Sequence, residues 1–283
     1  MSPSDPESKA REYVLGYSRT EAERLTRQAE LFAPLTERFF REAGIGPGDR
    51  VLDLGSGLGD VSMLAARLVG PSGQVLGVER DAGSIEHARR RAAQAGLENL
   101  TFTQSDVTRL DEGDRFDAAV GRFILMFLPN PGDVLRSVSR LVRPGGVVAF
   151  QEPSWHPLLA LGAPYPLWAK TLHAIHTTVT RSGADTEMGP HLAPLFVEAG
   201  LPRPTMRMEA LLSGDAGVIR ALSDILYSLA PLAKEHGVAF DGLEPLDTLA
   251  DRVAAELLEM RGVAASIPLV GAWARTSPSD GDD

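Results

Sequence analysis

Val51-Leu52-Asp53-Leu54-Gly55-Ser56-Gly57-Leu58-Gly59-Asp60 is a short apolar run that passes straight into glycines at alternate positions, and then into the helical pattern of Val61–Val69. Read as a strand, a loop and a helix, it decides the fold. Alternate glycines let the backbone turn sharply and approach a ligand without Cβ interference. The helix beyond presents unpaired N–H groups and the positive end of its dipole, which suit a carboxylate or a phosphate. A dinucleotide loop would read G-x-G-x-x-G/A, but Asp60 stands where its third glycine belongs, which disfavours a nicotinamide cofactor without eliminating it.

Outward from this loop the same alternation repeats. Arg50–Leu54 is the first strand, and Gln74–Val78 and the helix Ile85–Ala95 follow. Leu100–Gln104 and Phe116–Val120 read as strands three and four. The helix Pro131–Leu141 ends at Arg143-Pro144-Gly145-Gly146, and Val147–Gln151 is strand five. Apolar strands alternating with amphipathic helices predict an α/β, Rossmann-like, doubly wound and mostly parallel sheet. Upstream, apolar residues recur at helical spacing from Thr20 to Ala43, with Pro34 as a point where the helix could break in two.

Downstream, Leu167–Arg181, His191–Ala199, Val218–Lys234 and Leu246–Met260 read as helices. Arg203–Ala210 and Val263–Arg275 read as two further strands, for seven in all. The expected organisation is an N-terminal helical cap over residues 1–45, a cofactor-binding core over 46–152, and a remainder over 153–283. That last part supplies helical lid insertions and the last two strands of the same sheet, with the lid over the strand carboxyl ends.

Composition narrows the function. The formal charge of −10 offers no basic field for a nucleic-acid backbone. The run Arg89-Arg90-Arg91 reads as a solvated helix face. The chain has no cysteine, which excludes disulfides, thiolate metal sites and cysteine nucleophiles and fits a reducing compartment. No metal is expected: His173 and His176 are three apart on a helix, with no third ligand in sight. Met1–Glu7 has no signal-peptide pattern, and the most apolar stretch, Phe116–Leu128, is broken by Asp117 and Arg122. A cytoplasmic protein with no membrane partner is expected. Dimerisation stays open.

Two acidic positions give the loop its context. Glu79 directly follows the last apolar residue of strand two, where a carboxylate can accept from both hydroxyls of a ribose. Ser105-Asp106-Val107 follows strand three, where an acidic side chain can read an adenine amino group while Val107 packs on the ring. Each acidic residue alone can equally be a helix N-cap.

The order of Val51–Asp60, Glu79, Asp106, Phe116–Leu128 and Arg143-Pro144-Gly145-Gly146 resembles the class I S-adenosylmethionine-dependent methyltransferases, closest to the ubiquinone/menaquinone-biosynthesis methyltransferase-like group. The resemblance covers about residues 35 to 152 strongly. It implies that Asp53, Gly55, Ser56 and Gly57 face the methionine part of S-adenosyl-L-methionine. Glu79 would hold the ribose, Arg80 would flank the adenine, and Asp106 and Val107 would contact it. Arg122 would line the methionine end and the substrate mouth, although a structural ion pair fits it equally. Tyr17, Arg24 and Gln28 belong to a stretch that could cap the cofactor, Arg24 and Gln28 lying one helical turn apart.

The implied reaction is methyl transfer to a small, apolar organic molecule, with the methylated atom undetermined. A base is needed only where the acceptor carries a proton. His156, at the end of strand five, is the first candidate and His173 the second. A methyltransferase-fold enzyme with a non-methylating reaction, such as cyclisation, stays open, as does a nicotinamide-dependent oxidoreductase.

Overall fold

The computed structural model describes residues 19–107, 115–213 and 216–277. Its centre is a seven-stranded sheet built from β1 (Arg50–Leu54), β2 (Gln74–Glu79), β3 (Leu100–Gln104), β4 (Phe116–Arg122), β5 (Val142–Pro153), β6 (Thr205–Glu209) and β7 (Leu269–Arg275). The spatial order is β3-β2-β1-β4-β5-β7-β6. The first five strands pair in parallel, and β7 inserts antiparallel to both β5 and β6. The order reverses between β1 and β4, the switch point at which open α/β sheets bind ligands beyond their strand carboxyl ends.

Period-2 alternation sorts the strand residues onto two buried faces. Leu52, Leu54, Ala119, Val148 and Phe150 pack with α4 (Pro131–Leu141) and α7 (Met188–Glu198). Val51, Val75, Ala118, Val120 and Ala149 pack with α2 (Asp60–Val69), α3 (Ala82–Gln94) and the end of α1 (Arg19–Ala43). Helices thus cover both faces of the sheet.

A third apolar cluster lies apart from the sheet. It joins α5 (Trp155–Gly162), α6 (Pro166–Arg181), α8 (Ala216–Glu235) and α9 (Leu249–Glu259) around Trp168, Leu172, Leu226 and Val253. Helix α1 belongs to both bodies. Phe32 and Leu35 pack into this helical cluster, while Phe39, Phe40 and Ala43 pack on the sheet.

Several expectations shift. Pro34 does not divide α1: the helix runs unbroken through it, with both halves held by burial on either side. The helix expected at His191–Ala199 belongs to the sheet's own layer, because Leu192 and Phe196 pack there. The last strand begins at Leu269, not Val263. Ala264–Ala265 instead pairs antiparallel with Leu212–Ser213 in a separate two-stranded ribbon. The basic run is also not simply solvated. Arg91 donates to Leu58 O at 2.7 Å and pairs with Asp60 at 2.6 Å, and Arg89 donates to Phe102 O, leaving Arg90 on the exposed face with Glu86.

Candidate functional site

The loop after β1 lies against the end of β2. Ser56 N donates to Val78 O at 3.0 Å, and Gly57 N donates to Glu79 Oε2 at 3.0 Å. The other oxygen of Glu79 accepts from Arg80 N at 2.8 Å and Asp81 N at 3.1 Å. Glu79 is therefore a bracket between the glycine loop and the turn into α3. The N-cap role weighed for it falls to its neighbour: Asp81 accepts from Ser84 N at 2.6 Å at the start of α3.

Gly55 and Gly57 both have positive φ, +65° and +51°, but their surroundings differ. A Cβ at Gly55 would meet Ile124 Cδ1 at 2.6 Å, so that glycine admits the turn after β4. A Cβ at Gly57 would have nothing within 4 Å among the described residues, so this part of the loop faces open space among them. Beside it, the Ser56 hydroxyl is buried without a partner among the described residues.

Asp53 is fully buried beneath this loop and accepts from Ser62 Oγ at 2.5 Å. Burial pushes its carboxyl up to about 7, against the Ser62 hydrogen bond and the nearby Arg122 guanidinium. Arg122 is half-buried at the end of β4 and donates to Thr36 Oγ1 of α1 at 2.9 Å. Burial lowers its guanidinium from the usual value, opposed by the charges of Asp60 and Asp53. The pairing left open for Arg122 is thus a hydroxyl bond to α1, with the two carboxylates acting through the field.

The remaining expected cofactor residues fall as follows. Arg80 and Asp106 are exposed beyond β2 and β3, while Val107 is buried in the sheet's core. Ser105 N donates to Glu79 O, which ties the β3 turn to the β2 end. Arg24 is buried in α1 and donates to Gln28 Oε1 at 2.5 Å, so the two side chains meet each other. Tyr17 lies outside the described residues.

The histidines form a separate corner beyond β5. His156 is 77% exposed at its side chain, with Nδ1 3.2 Å from Glu187 Oε1. His173 is exposed and its Nδ1 contacts Ala169 O of its own helix. His176 is the more enclosed of this pair. Its Nε2 lies 3.1 Å from Thr186 Oγ1, its ring lies 5.7 Å from that of Trp155, and burial lowers its pKa. Although three apart on one helix, the two rings do not face the same way: His173 is exposed and His176 is turned inward. Among the described residues, no three His, Asp or Glu side chains are placed to hold a metal ion.

Carboxylates that the sequence did not single out hold the site together. Glu152, fully buried, accepts from Ile124 N at 3.0 Å, Leu125 N at 2.8 Å and Met126 N at 3.4 Å. It fixes the turn after β4, where Phe123 adopts a φ of +55°. Burial pushes this carboxyl up to about 8, despite the three N–H donors. Glu187 does the same for α5, accepting from Trp155 N, His156 N and Ser154 Oγ at 2.7–2.8 Å. An open depression lined by Pro34, Glu37, Arg38, Arg41 and Glu42 on the outer side of α1 shares no residue with this site.

A loop of this geometry, on this strand order, defines a class. A family model described as a methyltransferase domain matches residues 45–194, and the chain belongs to that family, the class I S-adenosylmethionine-dependent methyltransferases. It is 31% identical over 185 residues to a ubiquinone/menaquinone biosynthesis C-methyltransferase of Pseudomonas aeruginosa, covering 60% of this chain and 72% of that one. It is 36% identical over 132 residues to the enzyme of that name from Ectopseudomonas mendocina, covering 44% and 51%. An uncharacterized transposon protein of Streptomyces fradiae is 31% identical, over 56% and 45%. The chain thus spans about half the length of several curated relatives that it matches.

Among solved structures, a putative methyltransferase from Bacillus halodurans aligns with a TM-score of 0.59 at 15% identity, over 86% of this chain and 98% of that one. The cyclase SpnF aligns with a TM-score of 0.53 at 19% identity, over 87% and 81%. These likenesses establish the fold. No helix among the described residues is long and apolar enough to cross a membrane.

Proposed function

We propose that the chain binds S-adenosylmethionine across the glycine loop and transfers its methyl group to a small organic molecule. The observation that carries this reading is the Glu79–Gly57 bracket beside a loop whose open side accepts bulk. The donor set fits the group: a carboxylate at the end of β2 for ribose hydroxyls, an unpartnered Ser56 hydroxyl, and the buried Asp53 beneath the loop. When bound, S-adenosylmethionine supplies a methyl group activated by its sulfonium sulfur.

The residues then divide the work. Glu79 anchors the ribose and Asp53, Gly55, Ser56 and Gly57 face the methionine part. Arg80, Asp106 and Val107 flank the base. Arg24 and Gln28 close over it from the N-terminal side. Arg122 sets a positive charge at the substrate mouth. The helical cluster of α5, α6, α8 and α9 excludes water and presents an apolar lining. Where the acceptor atom carries a proton, His156, whose Nδ1 lies 3.2 Å from Glu187 Oε1, is the first candidate to take it. His173, tied to its own helix, is the weaker second candidate. The protein is read as cytoplasmic, acting in small-molecule or secondary metabolism.

Calorimetric titration of the purified protein with S-adenosylmethionine and S-adenosylhomocysteine, with NAD as control, tests this reading. Binding of the first two without NAD is the expected result. NAD binding, or no binding of either adenosyl ligand, would overturn it. A cyclase-type reaction on the same scaffold would be recognised by turnover of a substrate without release of S-adenosylhomocysteine.

A further inference from the structure

Gln151, the partner of Arg122 in the β4–β5 register, is only 3% exposed, and its Oε1 is buried with no hydrogen-bond partner among the described residues. Its backbone carbonyl is used, accepting from Phe123 N at 3.0 Å. A buried amide oxygen left unpaired destabilises the fold it sits in, and such an atom calls for an explanation. Here the surroundings supply one.

Register partners on neighbouring strands place their side chains on the same face. On the other side of Gln151, its register partner is Gly271, where a Cβ would meet the Phe39 ring at 2.5 Å. Arg122 bonds Thr36 of α1 on that same side. Gln151 and Arg122 thus lie side by side between α1 and the carboxyl ends of β4 and β5. Among the described residues, Thr36 Oγ1 alone takes a bond from the Arg122 guanidinium, which keeps N–H donors available. An unpaired acceptor on β5 thus stands in register with an arginine on β4 that has donors beyond the one Thr36 takes. Phe32, one helical turn before Thr36, and Phe123, next to Arg122, are in edge contact at 5.7 Å.

We infer that Gln151 and Arg122 together recognise a neutral hydroxyl on the acceptor substrate, the hydroxyl donating to Gln151 Oε1 and accepting from Arg122. This rests on the placement of the substrate mouth under Proposed function. A carboxylate accepts only: it could pair with Arg122 and the Gln151 amide N–H groups, but would leave Gln151 Oε1 unpaired. An ammonium donates only and would sit against the guanidinium. A hydroxyl does both and is the smallest group that completes the pair.

The test uses 1-naphthol and its methyl ether, 1-methoxynaphthalene, titrated by ligand-observed NMR into the protein saturated with S-adenosylhomocysteine. The hydroxyl compound is expected to bind about fivefold or more tighter than the ether. Gln151→Met, close in shape but without the amide, should equalise the two and leave S-adenosylhomocysteine affinity unchanged. It should also raise the melting temperature by about 2 °C or more, because an unpaired buried acceptor is gone. Gln151→Leu is read in the same way. Equal affinities in the natural protein, no binding of either compound, a preference that survives in both variants, or a fall in melting temperature in both would overturn the inference. Failure of the natural protein to bind S-adenosylhomocysteine would defeat the cofactor reading instead, and the naphthol comparison is then made on the protein alone.

Discussion

Glu79 Oε2 accepts the backbone N–H of Gly57 at 3.0 Å, joining the end of β2 to the glycine loop after β1 across 22 residues of sequence. One carboxylate thereby shapes the loop, and it is the group proposed to hold a ribose. The two roles separate experimentally, and the site's other residues separate likewise into those that hold the fold and those that face a ligand.

Gly57→Ala and Gly55→Ala are expected to part company. At Gly57 the added methyl meets nothing within 4 Å, so the cost to folding is the positive φ alone, about 1 kcal/mol. The same methyl occupies the open side of the loop, so S-adenosylhomocysteine binding should fall at least tenfold. At Gly55 the methyl meets Ile124 at 2.6 Å, and both stability and binding should drop. Urea unfolding paired with calorimetry reads both effects.

Glu152→Ala removes the acceptor of three backbone N–H groups, two of them under 3.1 Å. Orphaned buried donors cost about 1–3 kcal/mol each, so a loss of about 3 kcal/mol or more in urea unfolding is expected. Glu152→Gln keeps one acceptor oxygen and should lose less than half as much. Equal losses from the two would contradict the capping role.

Stability should decline from pH 5 to pH 9. The folded-state pKa is raised from 3.8 to about 7 for Asp53 and from 4.5 to about 8 for Glu152, so the folded chain binds more protons than the unfolded one across that window. The contribution is fully present below about pH 4 and is lost as pH rises through the folded-state values. Melting temperatures measured across the range should flatten in Asp53→Asn combined with Glu152→Gln.

Much of this was legible in the sequence because it is local. The β1 loop, the strand alternation and Glu79 each declare themselves within a few residues of a glycine or an apolar run. Residues that act over distance did not. Glu152 caps a turn 26–28 residues upstream, Glu187 caps α5 from 31–33 residues downstream, and Glu256 accepts from Leu167 N and Trp168 N at the start of α6. Nothing in the spacing of these glutamates distinguishes them from surface charge. Gln151 reads in the sequence as the end of a strand, and its unmet oxygen is visible only in the folded chain. Position after β5 points to His156 and His173, but ring direction on a helix follows from packing, which sends His173 outward and His176 inward.

Glu187→Ala should loosen α5 specifically. Trp155 N, His156 N and Ser154 Oγ lose their acceptor, and about 2 kcal/mol of stability is expected to go. Hydrogen exchange should rise at Trp155 and His156 while the amides of β1 and β4 keep their protection. Uniform loss of protection would contradict a local cap.

The central claim is that Glu79 holds the ribose of S-adenosylmethionine. The most direct measurement is a titration of the natural protein and Glu79→Ala with S-adenosylhomocysteine and with its 2′-deoxy analogue. The natural protein should prefer the hydroxylated ligand about tenfold, and Glu79→Ala should bind it about thirtyfold more weakly, a loss of roughly 2 kcal/mol, with the preference gone. An unchanged affinity in the folded variant, or a preference for the 2′-hydroxyl that survives the substitution, would contradict the account.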